Sequence, residues 1–124
     1  MNPGDTFFGF DKRGHLWIVL TEENANGDVV VTNFTTHEVE LRPNCSSGCF
    51  VVQPGEHPYP RHDSCIPFWG AMLTSRARLE RGVIEGVYDL QAPLTPELLE
   101  RIRMGALSSD APEAVRAAIR HELR

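Results

Sequence analysis

The spacing of short β-forming runs constrains the fold of this chain most strongly. Through the first two-thirds of the sequence, runs such as residues 15–21 and 28–35 are rich in branched and aromatic residues, and turn signals such as Asn24, Asn26 and Gly27 separate them. Further strand candidates are residues 4–10, 37–41, 49–53 and 65–73. Short strands at this spacing predict a small barrel that closes on itself.

Two features refine this prediction. Pro67 places the start of the run at residues 65–73 at a sheet edge or a bend, because proline cannot donate to a β-ladder. Small barrels fill their interior with side chains. We expect the core to contain Trp17, Val19, Val30, Phe34, Val51 and Trp69.

The last third of the chain carries helix signals. Thr95 is suited to an N-cap, Pro96 to the first helical position, and Leu94 can pack against Leu99. Gly105 suits the helix exit.

Two more helices are indicated on either side of this one. Residues 110–113 resemble a capping box that opens a helix, and residues 75–82 predict a shorter helix with outward-facing arginines. The buried stripe of the last helix should contain Val115, Ala118 and Ile119, and the solvated faces should carry Arg101, Arg103, Arg116 and Arg120. We therefore predict a mainly β chain with C-terminal helices (α+β), forming one domain over residues 1–124. In this domain a barrel over residues 1–75 precedes a helical extension of two or three short helices over residues 76–124.

Composition restricts the function. The net charge of −5 argues against a broad, non-specific nucleic-acid binder, although eight of the twelve basic residues lie beyond Leu73 and leave room for a local basic face. Residues 1–6 have no signal-sequence pattern, and no apolar run approaches the ~20 residues that span a bilayer. We expect a cytoplasmic protein with no membrane partner. Its three cysteines, Cys45, Cys49 and Cys65, are then expected to stay thiols or to bind metal.

The segment CFVVQPGEHPYPRHDSC, residues 49–65, gathers side chains that can handle protons and phosphates. It contains His57, Arg61, His62 and Ser64 in a backbone restricted by several prolines. Imidazoles titrate near pH ~6.5, so the two histidines could act as base and acid. The alternative is that they only cap the turn by hydrogen-bonding backbone carbonyls.

Other polar candidates lie at strand ends. His15 opens an apolar run just after Lys12 and Arg13, and these three residues could form one wall of an anion site or an exposed hairpin tip. Thr35 and Thr36 could bind a phosphate oxygen or a reacting 2′-OH, although threonine is also simply a good strand residue.

A zinc site is the competing interpretation of the same segment. Sulfur and imidazole ligands could come from Cys45, Cys49, His57, His62 and Cys65. The cysteine spacing differs from that of zinc knuckles, and two prolines prevent helical pairing of the histidines. We therefore predict no metal and no cofactor, with these five residues as the ligand set of the zinc alternative.

The order of several motifs resembles the small-barrel PemK/MazF class of bacterial type II toxins. Gly4-Asp5 precedes the first strand, and the strands HLWIVLT and DVVVTNFTT follow in the order typical of that class. The segment HPYPRHDS, residues 57–64, matches the H-P-[FY]-x-x-H-x-S loop of a divergent PemK-like group, and LTPELLERIRMGAL matches its helical tail. The barrel resemblance covers roughly residues 3–75.

The resemblance implies an SH3-like barrel that cleaves single-stranded RNA without metal, through attack of the 2′-OH on the adjacent phosphate. A cognate antitoxin would be the protein partner, and a homodimer is compatible with the class. The position of the family's catalytic arginine is His15, and that of its hydroxyl residue is Thr35 or Thr36.

Roles for the remaining candidates follow from this reaction. His57 or His62 would act as base and acid, Arg61 would stabilise charge, and His15 would be a third proton-transfer group. Substrate contacts would come from Thr36, Ser64, Lys12 and Arg13. The rival function is a non-catalytic SH3-like module that binds protein or nucleic acid, with a zinc-stabilised domain third.

Overall fold

The computed structural model describes residues 1–12, 14–36, 49–52, 55–58 and 64–123, with residues 35–36, 49–52 and 64 described by their backbone only. These residues form eight strands, one 3₁₀ turn and three helices. The strands are β1 (Thr6–Phe8), β2 (Trp17–Val19), β3 (Asp28–Asn33), β4 (Thr35–Thr36), β5 (Cys49–Val52), β6 (Ser64–Pro67), β7 (Met72–Ser75) and β8 (Asp89–Gln91). The 3₁₀ turn is Phe68–Gly70, and the helices are α1 (Arg76–Ile84), α2 (Pro96–Leu107) and α3 (Glu113–Glu122). This confirms a β-rich chain with C-terminal helices.

The strands form two antiparallel sheets. The larger sheet has the order β7-β3-β2-β1-β8, and the smaller one has the order β4-β6-β5. The predicted run at residues 37–41 lies outside the described residues. No helix of the described part of the chain is long and apolar enough to cross a bilayer.

The larger sheet separates two hydrophobic cores, because successive strand residues face opposite sides. One face carries Ile18, Val30 and Phe34, which pack with the buried residues of α2 and α3. The other face carries Phe7 and Trp17, which pack with residues of α1 and the segment after it. Four predicted core residues, Trp17, Val19, Val30 and Phe34, are thus confirmed as buried, whereas the side chain of Val51 lies outside the description.

Trp69 was expected in the core, and this is wrong: 65% of its surface is exposed. The predicted strand at residues 65–73 is in fact β6 and β7 with the 3₁₀ turn between them. Thr35 pairs with Cys65 and Val31 pairs with Met72, so the three residues 32–34 face the six residues 66–71. The extra residues form a bulge, which can redirect individual side chains, and here Trp69 is turned out to solvent while Phe68 stays buried.

The helix ends follow tertiary packing more than local signals. Thr95 is the N-cap of α2 as predicted, and its Oγ1 accepts from the Leu98 amide at 3.2 Å. The predicted exit at Gly105 is wrong, because α2 continues to Leu107 and buries Ala106 completely. The capping box at residues 110–113 is also wrong, since Pro112 is the N-cap residue of α3 and makes no side-chain capping bond.

Candidate functional site at the end of β3

One end of the larger sheet collects several of the predicted site residues. β2 and β7 both run antiparallel to β3, with Trp17 opposite Asn33 and Met72 opposite Val31. The starts of β2 and β7 therefore lie beside the end of β3. His15 just precedes β2, and the bulge carrying Trp69 just precedes β7.

His15 forms a hydrogen-bonded pair with Asp11 at this end. Its Nδ1 lies 2.7 Å from Asp11 Oδ2, and its backbone N–H donates to Asp11 Oδ1 at 3.2 Å. The side-chain nitrogen Nδ2 of Asn33 is 3.4 Å from the same Nδ1. Because Nδ1 cannot donate to the carboxylate and accept from Asn33 together, the shorter contact assigns the proton to Nδ1. In the neutral ring, Nε2 is then the atom able to accept a proton.

The environment keeps Asp11 ionised. Partial burial alone would raise the pKa of its carboxyl, but the hydrogen bonds and charge from His15, with a smaller contribution from Trp17, bring that pKa below its ordinary value. The indole Nε1 of Trp17 is buried and makes no hydrogen bond within the described residues. Both members of the pair remain partly accessible, with 21% of the His15 side chain and 25% of the Asp11 side chain exposed.

Local sequence explains why this pair forms. Gly14 has a φ of +76°, a conformation that other residues rarely adopt, and it lets the chain return so that His15 meets Asp11. Phe10 anchors the other side of the turn, with its ring edge-on to Trp17 at 4.7 Å and to Phe7 at 6.0 Å. The pair of His15 and Asp11, called the dyad below, therefore lies next to a packed aromatic cluster.

The same turn carries two basic residues, Lys12 and Arg13. Lys12 is exposed beside the dyad. Arg13 lies outside the described residues. The choice between an anion-site wall and an exposed hairpin tip stays a prediction.

The residues predicted to contact phosphate through a hydroxyl group lie on paired strands of the smaller sheet. Thr36 is the cross-strand partner of Ser64, and Thr35 is the partner of Cys65. Because β4 directly follows the end of β3, this ladder adjoins the region of Asn33. Three predicted phosphate-binding residues, Thr35, Thr36 and Ser64, are thus adjacent in the fold.

His57 occupies a different setting from His15. It is 97% buried, its Nε2 is 2.6 Å from the carbonyl of Ala92, and its ring lies 6.0 Å from that of Phe34. An imidazole donates to a carbonyl through N–H. The bond is thus of the structural kind, but it reaches a segment 35 residues away and does not cap the turn of His57 itself. Phe34 and Asn33 face opposite sides of the sheet, so His57 and His15 approach the end of β3 from opposite faces. Arg61 and His62 lie outside the described residues.

The expectation of free or metal-bound cysteines is wrong for Cys65, which is disulfide-bonded. A disulfide sulfur is not the thiolate that zinc takes, so the zinc alternative loses this ligand. Cys45 and the side chain of Cys49 lie outside the description. Within the described residues no group of three or more histidines, cysteines and carboxylates could hold a metal ion.

The arginines of α2 and α3 are paired within the chain. Arg101 pairs with Glu56, and Arg116 and Arg120 both pair with Glu113. Arg103 was expected on a solvated face, and this is wrong. Its side chain is only 15% exposed, and it donates to the Leu20 carbonyl at 2.7 Å and to Glu122 at 3.3 Å. These pairs neutralise much of the basic charge of the helical extension.

Sequence reasoning missed two residues of the site, Asp11 and Asn33. The signal for Asp11 was an aspartate four residues before His15 across a turn that contains Gly14. The signal for Asn33 was its place at the end of a strand expected to pair with the run that His15 opens. Comparison with protein-family models, with curated proteins and with solved structures gives no match for this chain.

Proposed function

We propose that this chain is a metal-independent endoribonuclease that cleaves single-stranded RNA, the toxin of a bacterial toxin–antitoxin pair built on an SH3-like barrel. The observation that carries the proposal is the hydrogen bond of 2.7 Å between His15 and Asp11. A carboxylate that fixes an imidazole tautomer and stabilises the imidazolium is a recurrent device of acid–base catalysis. The strand ladder that contains Thr35, Thr36 and Ser64 supports a phosphate site next to it.

In the proposed reaction His15 Nε2 accepts the proton of a ribose 2′-OH. The 2′-oxygen forms a bond to the adjacent phosphorus while the bond from phosphorus to the 5′-oxygen breaks. The leaving 5′-oxygen takes a proton from a general acid, for which His62 is the remaining loop candidate because His57 is committed to a carbonyl. Arg61 would stabilise the charge on the pentacoordinate phosphate. The products are a 2′,3′-cyclic phosphate and a 5′-hydroxyl.

The biological setting belongs to the same proposal. A cognate antitoxin would cover the end of the sheet that holds the dyad, and a homodimer is compatible with the class. Cellular RNA as substrate implies work in the cytoplasm, where disulfides are uncommon. Assays should therefore be run with and without a thiol reductant, which reports whether the Cys65 disulfide affects activity.

The test is RNA cleavage in a chelating buffer, followed by mapping of the product ends. His15→Ala should lower the rate by about 10²–10⁴-fold, the usual contribution of a general base. His121→Ala is the matched control, because His121 is exposed on α3, and it should keep the wild-type rate. Intact RNA with folded wild-type protein, or wild-type cleavage by His15→Ala, would contradict the proposal.

A non-catalytic binding module is the second candidate. The burial of His57 and its bond to Ala92 favour it, because they give the histidine segment a structural role. This candidate predicts that the protein binds a partner protein or nucleic acid without altering it. RNA that is retained on the protein yet recovered uncut would support this function over the nuclease.

A further inference from the structure

Trp69 is a large apolar side chain left outside both cores. It is 65% exposed, although its neighbour Phe68 is 99% buried and anchors the 3₁₀ turn in the first core. The turn is closed by the Ala71 amide, which donates to the Phe68 carbonyl at 3.0 Å. Apart from its two chain neighbours, no atom of the described residues lies within 4 Å of a Cβ built on Gly70. The turn therefore presents the indole to solvent from a well-anchored base.

The position of this indole relates it to the dyad. The bulge that carries Trp69 lies across from residues 32–34, as the pairs Thr35–Cys65 and Val31–Met72 require. On the other side of β3, Asn33 contacts His15 at 3.4 Å. Trp69 and His15 thus flank the same strand end from its two neighbouring strands.

We propose that Trp69 is a stacking platform for an unpaired base of the single-stranded RNA whose phosphate lies at the dyad. This inference rests on the proposed function, because the RNA substrate comes from it. Every base has a π-face, so an exposed indole binds single strands with little sequence preference and without hydrogen-bond readout. A duplex buries these faces, so the platform selects unpaired strands. The platform would also hold the backbone near His15, which supports cleavage through positioning.

The experiment measures binding apart from cleavage. The probe is a short, fluorescently labelled 2′-O-methyl RNA of mixed sequence, which lacks the attacking hydroxyl, and the same sequence as a duplex serves for comparison. Trp69→Ala should weaken single-strand binding by about 10- to 100-fold, and Trp69→Phe should retain most of it. Ile84→Ala is the matched control, because Ile84 is 85% exposed at the end of α1, and it should bind like the wild type. Circular dichroism confirms that each variant is folded.

The outcomes separate this inference from the proposed function. If wild type and Trp69→Ala bind the probe equally, or if the wild type does not bind it, the stacking inference is overturned, whatever the cleavage assay shows. If binding depends on Trp69 but unmodified RNA stays intact, the stacking inference holds and the nuclease proposal fails. If Trp69→Ala instead converts a dimer into a monomer in sedimentation without weakening probe binding, Trp69 is a protein contact and the inference is wrong.

Discussion

Replacing Gly82 with alanine has two opposing effects on stability, and their magnitudes can be compared. Gly82 lies inside α1, where alanine would favour the helix by about 1 kcal/mol. The structure predicts the reverse outcome, because a Cβ at this position would lie 2.3 Å from both Cδ2 and Cε2 of Tyr88. Carbon atoms pack at about 3.5–4.0 Å, so the tyrosine ring would have to withdraw by roughly 1 Å or more.

Neither the backbone of Gly82 nor the ring of Tyr88 can move away easily. The Gly82 carbonyl accepts from the Val87 amide at 2.8 Å and the Tyr88 amide at 3.1 Å, which fixes the two backbones together. Tyr88 is 7% exposed, and its ring packs against Phe7 at 5.6 Å and Phe10 at 6.0 Å. Overpacking costs about 1–3 kcal/mol, and each disturbed aromatic pair is worth about 0.5–1.5 kcal/mol. With both pairs disturbed and the helix gain of about 1 kcal/mol subtracted, we expect a loss of about 3 kcal/mol in the free energy of unfolding.

Urea denaturation measures this loss, and two controls make it specific. Gly70→Ala adds the same methyl group where, apart from the two chain neighbours, no atom of the described residues lies within 4 Å, so its stability should change by no more than about 0.5 kcal/mol. In a Tyr88→Ala background the added methyl group no longer meets a ring, so Gly82→Ala should become neutral or stabilising. A Gly82→Ala protein as stable as the wild type would refute the packing of α1 on Tyr88.

Two further predictions concern charge. The pKa of the Asp11 carboxyl is lowered in the folded protein, so ionised Asp11 stabilises the fold at pH values above its ordinary pKa of 3.8. This stabilisation is lost as the pH falls through the folded-state pKa. Asp11→Asn should therefore be less stable than the wild type at pH 7, and denaturation curves should show the difference shrinking below about pH 4. Arg103→Met leaves the Leu20 carbonyl and the Glu122 carboxylate without this donor and should lower the free energy of unfolding by about 1–3 kcal/mol. Arg120→Met removes an exposed ion pair and should lower it by less than about 1 kcal/mol. Equal losses of stability for the two variants would contradict the structural role of Arg103.

Local patterns predicted the elements whose own residues determine them. β3 is a run of branched residues that must be buried on both faces, and α2 begins at a threonine–proline cap. β8 has no such pattern, because all three of its residues are exposed, and it is a strand only through its pairing with β1. Strands of this kind depend on a partner that is distant in sequence, and a local reading cannot find them.

The candidate site divides in the same way. His15 was identified from its place at the start of an apolar run, whereas its partner Asp11 depends on the backbone turn that Gly14 permits. The prediction that Trp69 is buried is wrong because it rested on residue type alone. The exposure of Trp69 follows from the unequal lengths of chain between paired residues of β3 and β4 and of β6 and β7, which only the strand pairing reveals.

The buried His57 bears on the site through the arrangement of the two sheets. The Ala92 carbonyl, just after β8, accepts from Thr6 Oγ1 at 2.6 Å and lies 2.6 Å from His57 Nε2. This single oxygen therefore joins β1 of the larger sheet to the segment that leads toward β6 of the smaller one. β6 pairs with the strand containing Thr35 and runs directly into the bulge that presents Trp69. The bulge also runs into β7, which pairs with β3 of the larger sheet. The proposed platform is therefore connected to both sheets, and the hydrogen bond of His57 to Ala92 is one joint between them.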